Sequence, residues 1–304
     1  MSAAKRKQKP RSMDRLVSPL RPLLTQPGRR VMVGGFLVLV LLGGTYFGWQ
    51  RWGGQIADQP KYAVLPENIE ITPPPPWIRS DVKLEVLRAG GLTNLSLLDR
   101  ELTIKVARAF GMHNWVQDVL RVSKHHPARV EVQLEYRQPV AMVEVPNGLL
   151  PVDAHGILLP PGDFSAEQAR DYLRISIPGA MPAGPVGTAW GAPRIHDASR
   201  IAGVLQEHWK KLGLYRIAVV PTDSPTDEPR YMLATRQGVQ VIWGKAPRAN
   251  DVTDAKKALL KVAHLMAYVE ANGPLDGINQ DSEIDLTQHE LANPQTARLI
   301  SSGG

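Results

Sequence analysis

The sequence predicts an α+β protein carried by a single transmembrane helix, with a small unit of two helices on a short sheet and then a larger mixed β domain with packed helices. Three observations carry that prediction. A long uncharged apolar run lies near the N-terminus, strict period-two alternation spans residues 130–137, and helical periods interleave with short apolar strands after residue 140. With 304 residues, 43% of them apolar, the chain is long enough for two cores of ordinary size.

Residues 1–30 form a basic tail. They hold nine Lys or Arg against one acid, Asp14, a net charge of +8, which leaves −1 for residues 31–304 out of a whole-chain +7. The positive charge therefore belongs to a Pro- and Ser-containing tail with too little apolar content to fold, and a nucleic-acid-binding body is not expected. Residues 31–50 form the transmembrane helix. Positions 31–49, VMVGGFLVLVLLGGTYFGW, carry no charge, and at ~1.5 Å per residue they span roughly 28 Å, close to the hydrocarbon thickness of a bilayer. Tyr46, Trp49 and Trp52 fall where an interfacial aromatic belt belongs, and the cations before the span put the N-terminus in the cytoplasm. The competing reading, a cleaved signal peptide, fits less well: the run exceeds the usual apolar length and no A-x-A-like site follows it promptly. Everything after residue 51 is then extracytoplasmic, in a chain without cysteine, so thiolate chemistry and Cys-ligated zinc are excluded.

Residues 51–66 read as a linker. A first strand is expected at Asn68–Thr72, followed by the stiff polyproline stretch Pro73–Pro76. Asp81 caps a short helix closed by Gly90 and Gly91, and a second helix runs from about Asp99 to Phe110 and stops at Gly111. Strands follow at 115–122 and 130–137, joined at His125-His126-Pro127. Val130, Val132, Leu134 and Tyr136 share one face, while Glu131, Gln133, Glu135 and Arg137 share the other. Pro139 cannot donate to a ladder, so the chain changes role there. Beyond it come the strand AMVEV, a hairpin in GLLPVDAHGILLP turning at Asp153–Gly156, and an acidic helix at about 166–172 before LRISIPG. After a Gly/Pro-rich loop at 178–193, a helix is expected near Asp197–Leu212 and a strand at 214–220. Residues 231–244 form a hairpin turning at Gln237-Gly238. The longest helix covers about 253–271, with Val252, Ala255, Leu259, Val262, Met266 and Val269 as its apolar face, and the last strand is SEIDLT, 282–287.

No chemistry-bearing motif survives inspection. Gly238 to Gly244-Lys245 has five intervening residues where a phosphate loop needs four, and Ala246 stands where Ser or Thr binds magnesium. The eight histidines show no metal-binding pair spacing, with His264 expected on a solvated flank, and no G-x-S-x-G elbow is present. Asp281, Glu283 and Asp285 alternate along a strand and read as one solvated face.

The pieces in this order resemble the FtsQ/DivIB family of bacterial cell-division proteins. Glu135-Tyr136-Arg137-Gln138-Pro139-Val140-Ala141 is similar to that family's E-R-x-P-V-A pattern, with Tyr136 where the acid usually precedes the arginine. Trp115-Val116 ahead of Pro127 resembles its P-W-V…P segment, with Asn114 in place of the first proline. LPVDAHG resembles its D-x-x-G hairpin, GVQVIWGKAP its G-x-x-V-x-L-G strand, and SEIDLT its closing V-D-L-R-Y strand. The resemblance implies a POTRA-like βααββ-type domain at 67–138, a β domain at 139–290 and a disordered tail at 291–304. Arg137, Pro139, Val140 and Ala141 then mark the domain junction.

The implied function is that of a non-enzymatic membrane-anchored scaffold at the division site of the inner membrane, with no cofactor, metal or small-molecule substrate. Ile284, Asp285, Leu286, Thr287 and Gln288 would be its partner-binding residues, an edge strand that accepts a strand from small bitopic partners of the FtsB/FtsL type. Thr287-Gln288 replaces the Arg-Tyr often found in the family, which changes side-chain contacts but leaves backbone pairing possible. The competing expectation for this edge is an inert one shielded by residues 288–304. Two rival classes are an extracytoplasmic cell-wall enzyme, which needs a convergent polar pocket, and a POTRA-type assembly chaperone, which the single helical anchor disfavours.

Overall fold

The computed structural model describes residues 26–57, 62–92, 95–221, 228–277 and 283–287. The basic tail up to residue 25, Gln288 and the C-terminal tail lie outside them. The chain divides into two compact units, Met1–Ala63 and Val64–Gly304. The described residues form a mixed α+β structure with six α-helices and twelve strands.

In the first unit, helix α1 (Gln26–Ala57) runs for 32 residues, and its stretch Met32–Arg51 is long and apolar enough to cross a membrane. Its apolar side chains, Phe36, Leu39, Leu41 and Phe47 among them, have no protein cover. Thr45 returns its hydroxyl to the Leu41 and Leu42 carbonyls, each at 2.9 Å, which suits a polar group to an apolar surround. A two-residue strand β1 (Ala63–Val64) straddles the boundary with the second unit.

The second unit holds two hydrophobic cores. The first gathers residues 64–134. Strand β2 (Ile69–Ile71) leads through the prolines to α2 (Val82–Ala89), where the Asp81 carboxylate accepts the Leu84 amide at 2.9 Å as an N-cap. The two-residue strand β3 (Leu95–Ser96), helix α3 (Leu102–Gly111), β4 (Val116–His125) and β5 (Arg129–Tyr136) follow. The sheet order is β2-β5-β4, with β2 parallel and β4 antiparallel to β5. The alternation of β5 does what its period requires: Val130, Val132 and Leu134 are buried under α2 and α3 with Phe110 and Trp115. Tyr136 continues that face, half-buried, and its hydroxyl donates to the Thr72 carbonyl at 2.7 Å. β4 extends three residues beyond the expected end. Two register shifts, at Val116/Asp118 and Val119/Arg121, break its period.

The second core belongs to a seven-stranded sheet of order β12-β11-β10-β9-β8-β6-β7. Its elements are β6 (Pro139–Val145), β7 (Gly148–Asp153), α4 (Ala166–Arg170), β8 (Leu173–Ser176), α5 (Pro193–Leu205), β9 (Leu214–Val219), β10 (Tyr231–Thr235), β11 (Gln240–Gly244), α6 (Val252–Asn272) and β12 (Glu283–Asp285). β6, β8 and β9 pair in parallel, as do β11 and β12, while β7 and β10 run antiparallel to their neighbours. Helices α5 and α6, which connect the parallel pairs β8–β9 and β11–β12, pack against one another.

Four expectations change. Helix α5 begins at Pro193, not near Asp197, and ends at Leu205, because Pro193 pre-sets the first helical φ and the chain turns before Trp209. The hairpin turning at Asp153–Gly156 forms, with the Asp153 amide donating to the Ile157 carbonyl at 3.2 Å and the Leu159 amide to the Pro151 carbonyl at 2.9 Å, but its returning arm is no full strand. It bridges at Val152 to Leu158, and Ile157 also bridges Ala189, so the Gly/Pro-rich loop is laid against residues 156–158. Helix α6 is rotated from its expected face: Ala258, Lys261, Val262, Leu265 and Val269 are buried, whereas Leu259 is 60% exposed. Apolar residues cover more than half of this helix, so periodicity alone does not choose a face. The buried face also carries Lys261, whose stem packs inward while its ammonium donates to the Trp243 carbonyl at 2.7 Å. His264 follows that rotation and is half-buried, not solvated.

Candidate functional site

Among the described residues the terminal strand β12 has one neighbour, β11, and closes one end of the large sheet. The pairing sets Ile284 opposite Val241 and Asp285 opposite Ile242. The Ile284 and Leu286 side chains enter the core at 9% and 3% exposure, which fixes the strand's face. The Leu286 amide donates to the Ile242 carbonyl at 3.0 Å. Backbone direction alternates along a strand, so Ile284 and Leu286 bond inward and Asp285 turns its N–H and C=O away from β11. The edge is short. The Asp285 carboxylate accepts both the Thr287 amide and the Thr287 hydroxyl at 2.7 Å, a local turn that ends the strand. Thr287 thus has its donor engaged, and among the described residues of this strand Asp285 is the one whose N–H and C=O both face away from β11. Of Gln288, outside the described residues, nothing further is said.

The junction residues are brought together. Arg137 donates to the Asp153 carboxylate at 2.7 Å, with side-chain exposures of 18% and 3%. The same carboxylate accepts the His155 and Ile157 amides at 2.9 Å each. Asp153 also stands opposite Pro139 at the start of the β6–β7 ladder, where a register shift before Ala141 absorbs the missing proline N–H. The spacing Arg137-x-Pro139 therefore places an arginine beside the residue that the bulge brings across. Val140 and Ala141, both buried, begin the second core. Trp77 closes the site by donating its indole N–H to the Arg137 carbonyl at 3.1 Å.

A second tie between the cores was not foreseen. The segment after β7 sends Leu159, fully buried, into the first core. Four residues on, the buried Asp163 accepts the Ser80 amide and hydroxyl at 3.1 Å and the Trp115 indole N–H at 2.6 Å. Gly187, at φ +88°, lies so close to Asn114 that a Cβ would stand 2.2 Å from its side-chain oxygen. The signal available in the sequence was the acid in Pro160-Pro161-Gly162-Asp163-Phe164, whose partners lie 48 and 83 residues away and leave no local trace.

The charged groove between α5 and α6, about 500 Å³, is lined by five cations and three carboxylates, and each carboxylate is paired. Arg200 pairs with Asp197, Lys245 with Glu228, and Arg248 with Asp254 at 2.7 Å. The hydrogen bond from Arg248 holds Asp254 below the usual carboxylate range. Tyr231 donates to Asp197 at 3.0 Å, and burial, reinforced by that carboxylate, pushes its phenol far above the usual range. His113 meets Glu85 at 3.0 Å and His196 meets the His155 carbonyl at 2.9 Å. Among the described residues no group of three metal-ligating side chains occurs.

Fold and site together define an α+β chain with one apolar N-terminal helix, two tied cores and a short terminal edge strand. No family model matches this chain, and no curated protein matches it.

Proposed function

We propose that the chain is a non-enzymatic scaffold of the bacterial cell-division complex, anchored in the inner membrane by α1, with its two-core body extracytoplasmic and docking small bitopic partners by strand addition at β12. The observation that carries this reading is the outward-facing backbone of Asp285 on a strand with a single neighbour among the described residues. Such an edge offers a partner one N–H and one C=O per alternate residue, and main-chain bonds supply affinity without demanding a particular side chain. The motif order of residues 115–287 adds the resemblance to FtsQ/DivIB proteins, including a POTRA-like arrangement of the first core.

The test is affinity capture of the tagged full-length chain from mild detergent, comparing Asp285→Pro with Asp285→Ala. Both variants lose the carboxylate that ends the strand, but only proline removes the outward donor, and neither touches the inward bonds of Ile284 and Leu286. Small bitopic partners of the FtsB/FtsL type are expected to co-purify with the parent and with Asp285→Ala, and to fall at least tenfold, roughly the worth of one main-chain hydrogen bond, with Asp285→Pro. Equal capture by both variants sinks the strand-addition reading.

A further inference from the structure

At the other end of the large sheet, beside β6, a pocket of about 470 Å³ opens between the two cores. It falls within the ~300–1,000 Å³ typical of small-ligand sites. Four aromatic side chains line it: Trp77, Phe164, Tyr172 and Trp209, all partly exposed. They come from three parts of the chain, with Phe164 and Tyr172 flanking α4. Phe164 and Tyr172 are held edge to face at 5.7 Å, and Trp77 is fixed by its bond to the Arg137 carbonyl. Polar groups line the same space: the amides of Gln138 and Gln206, that of Gln168, whose oxygen already accepts the Ser165 N–H at 3.0 Å, and the carboxylates of Asp171 and Glu207.

We propose that this pocket binds a neutral saccharide. Aromatic faces carry negative quadrupole charge and match the weakly positive C–H faces of a pyranose ring. Amides both donate and accept, and carboxylates accept, so between them they answer hydroxyl groups, which also do both. The alternatives fit less well on chemical grounds. A proline-rich peptide also favours aromatic grooves, but its proline residues have no N–H to offer Asp171 or Glu207, and the Trp77 donor that would serve its carbonyls is taken. A cationic ligand would meet Lys210, whose ammonium already stands 5.4 Å from the Trp209 ring centroid. An anion would face two carboxylates against one lysine. The proposal does not depend on strand docking, since β12 closes the opposite end of the sheet.

The experiment is saturation-transfer NMR on the full-length protein in phospholipid nanodiscs, avoiding sugar-headed detergents that are themselves ligands. The probes are cellobiose, the β-1,4-linked N-acetylglucosamine dimer, a proline-rich decapeptide and choline, each at about 1 mM, where millimolar affinities register. Saturation of the ring C–H protons of at least one disaccharide is expected, and the two disaccharides separate plain hexose from N-acetylhexosamine recognition. The double variant Asp171→Ala/Glu207→Ala removes two exposed carboxylates without disturbing either core, and is expected to weaken that binding at least tenfold. No saturation of either disaccharide overturns the proposal. So does unchanged saccharide affinity in the double variant, or signals from the peptide or choline alone.

Discussion

Asp153 and Asp163 perform the same task by different chemistry. Each is a buried carboxylate that accepts from across the junction, Asp153 from Arg137 and Asp163 from Ser80 and Trp115, so each converts the meeting of two cores into a fixed geometry. For Asp153 the principal partner is charged. Replacing Arg137 by alanine strands a carboxylate that is 3% exposed, with only the His155 and Ile157 amides left to it. Breaking such a pair costs about 3–5 kcal/mol, and those amides hold the expected loss near 3 kcal/mol. Arg137→Lys, which keeps the charge but not the planar guanidinium, should recover part of it. For Asp163 all donors are neutral, and Asp163→Ala leaves the Trp115 indole and the Ser80 amide unpaired, an expected cost of about 1–3 kcal/mol each way it is partitioned. Urea unfolding of the full-length protein in detergent measures both, and a loss below 0.5 kcal/mol on the same scale in Arg137→Ala would remove the junction from the account.

Elements differ in how far their sequences determine them. β5 was legible residue by residue because one face is buried and the other solvated, and α2 because Asp81 caps it. α6 was legible as a helix but not in its rotation, since its buried face carries a lysine whose acceptor, the Trp243 carbonyl, belongs to another element. The site followed the same division. Arg137 and Pro139 stood out through local pattern, whereas Asp163 and the four-aromatic pocket are assembled from distant segments that carry no common period. β5 also supplies a prediction in pH. Burial raises the Tyr136 phenol from 10.0 to about 12. A folded-state value above the unfolded one means that the contribution is complete below pH 10 and is lost as pH rises through about 12, because the unfolded state gives up the proton first. Burial raises Tyr172 and Tyr231 as well, so they share this alkaline loss. Tyr136→Phe should therefore show a shallower fall in urea midpoint between pH 10 and pH 12 than the parent, while being less stable at pH 7 for want of the bond to Thr72. Identical slopes in parent and variant would mean that the phenol titrates normally.

The whole molecule joins a long apolar helix to a body with near-neutral charge, and the order of the two is what the scaffold reading requires. α1 exposes its apolar side chains all round, a surface that lipid satisfies and water does not. The asymmetry of charge about it is strong, with nine cations in the first 30 residues and Arg51 just beyond the span. The scaffold reading therefore requires the positive-inside orientation, with the basic tail in the cytoplasm and both cores outside. The absence of cysteine makes this directly measurable, because any introduced thiol is the only one in the chain. Met181, exposed on the loop before α5, offers a site on the body, and Ala3 one in the tail. In spheroplasts a membrane-impermeant maleimide should label Met181→Cys at once and Ala3→Cys only after lysis. Labelling of Ala3→Cys in intact spheroplasts, with Met181→Cys protected, would invert the topology and place β12 in the cytoplasm, where an extracytoplasmic partner could not reach it.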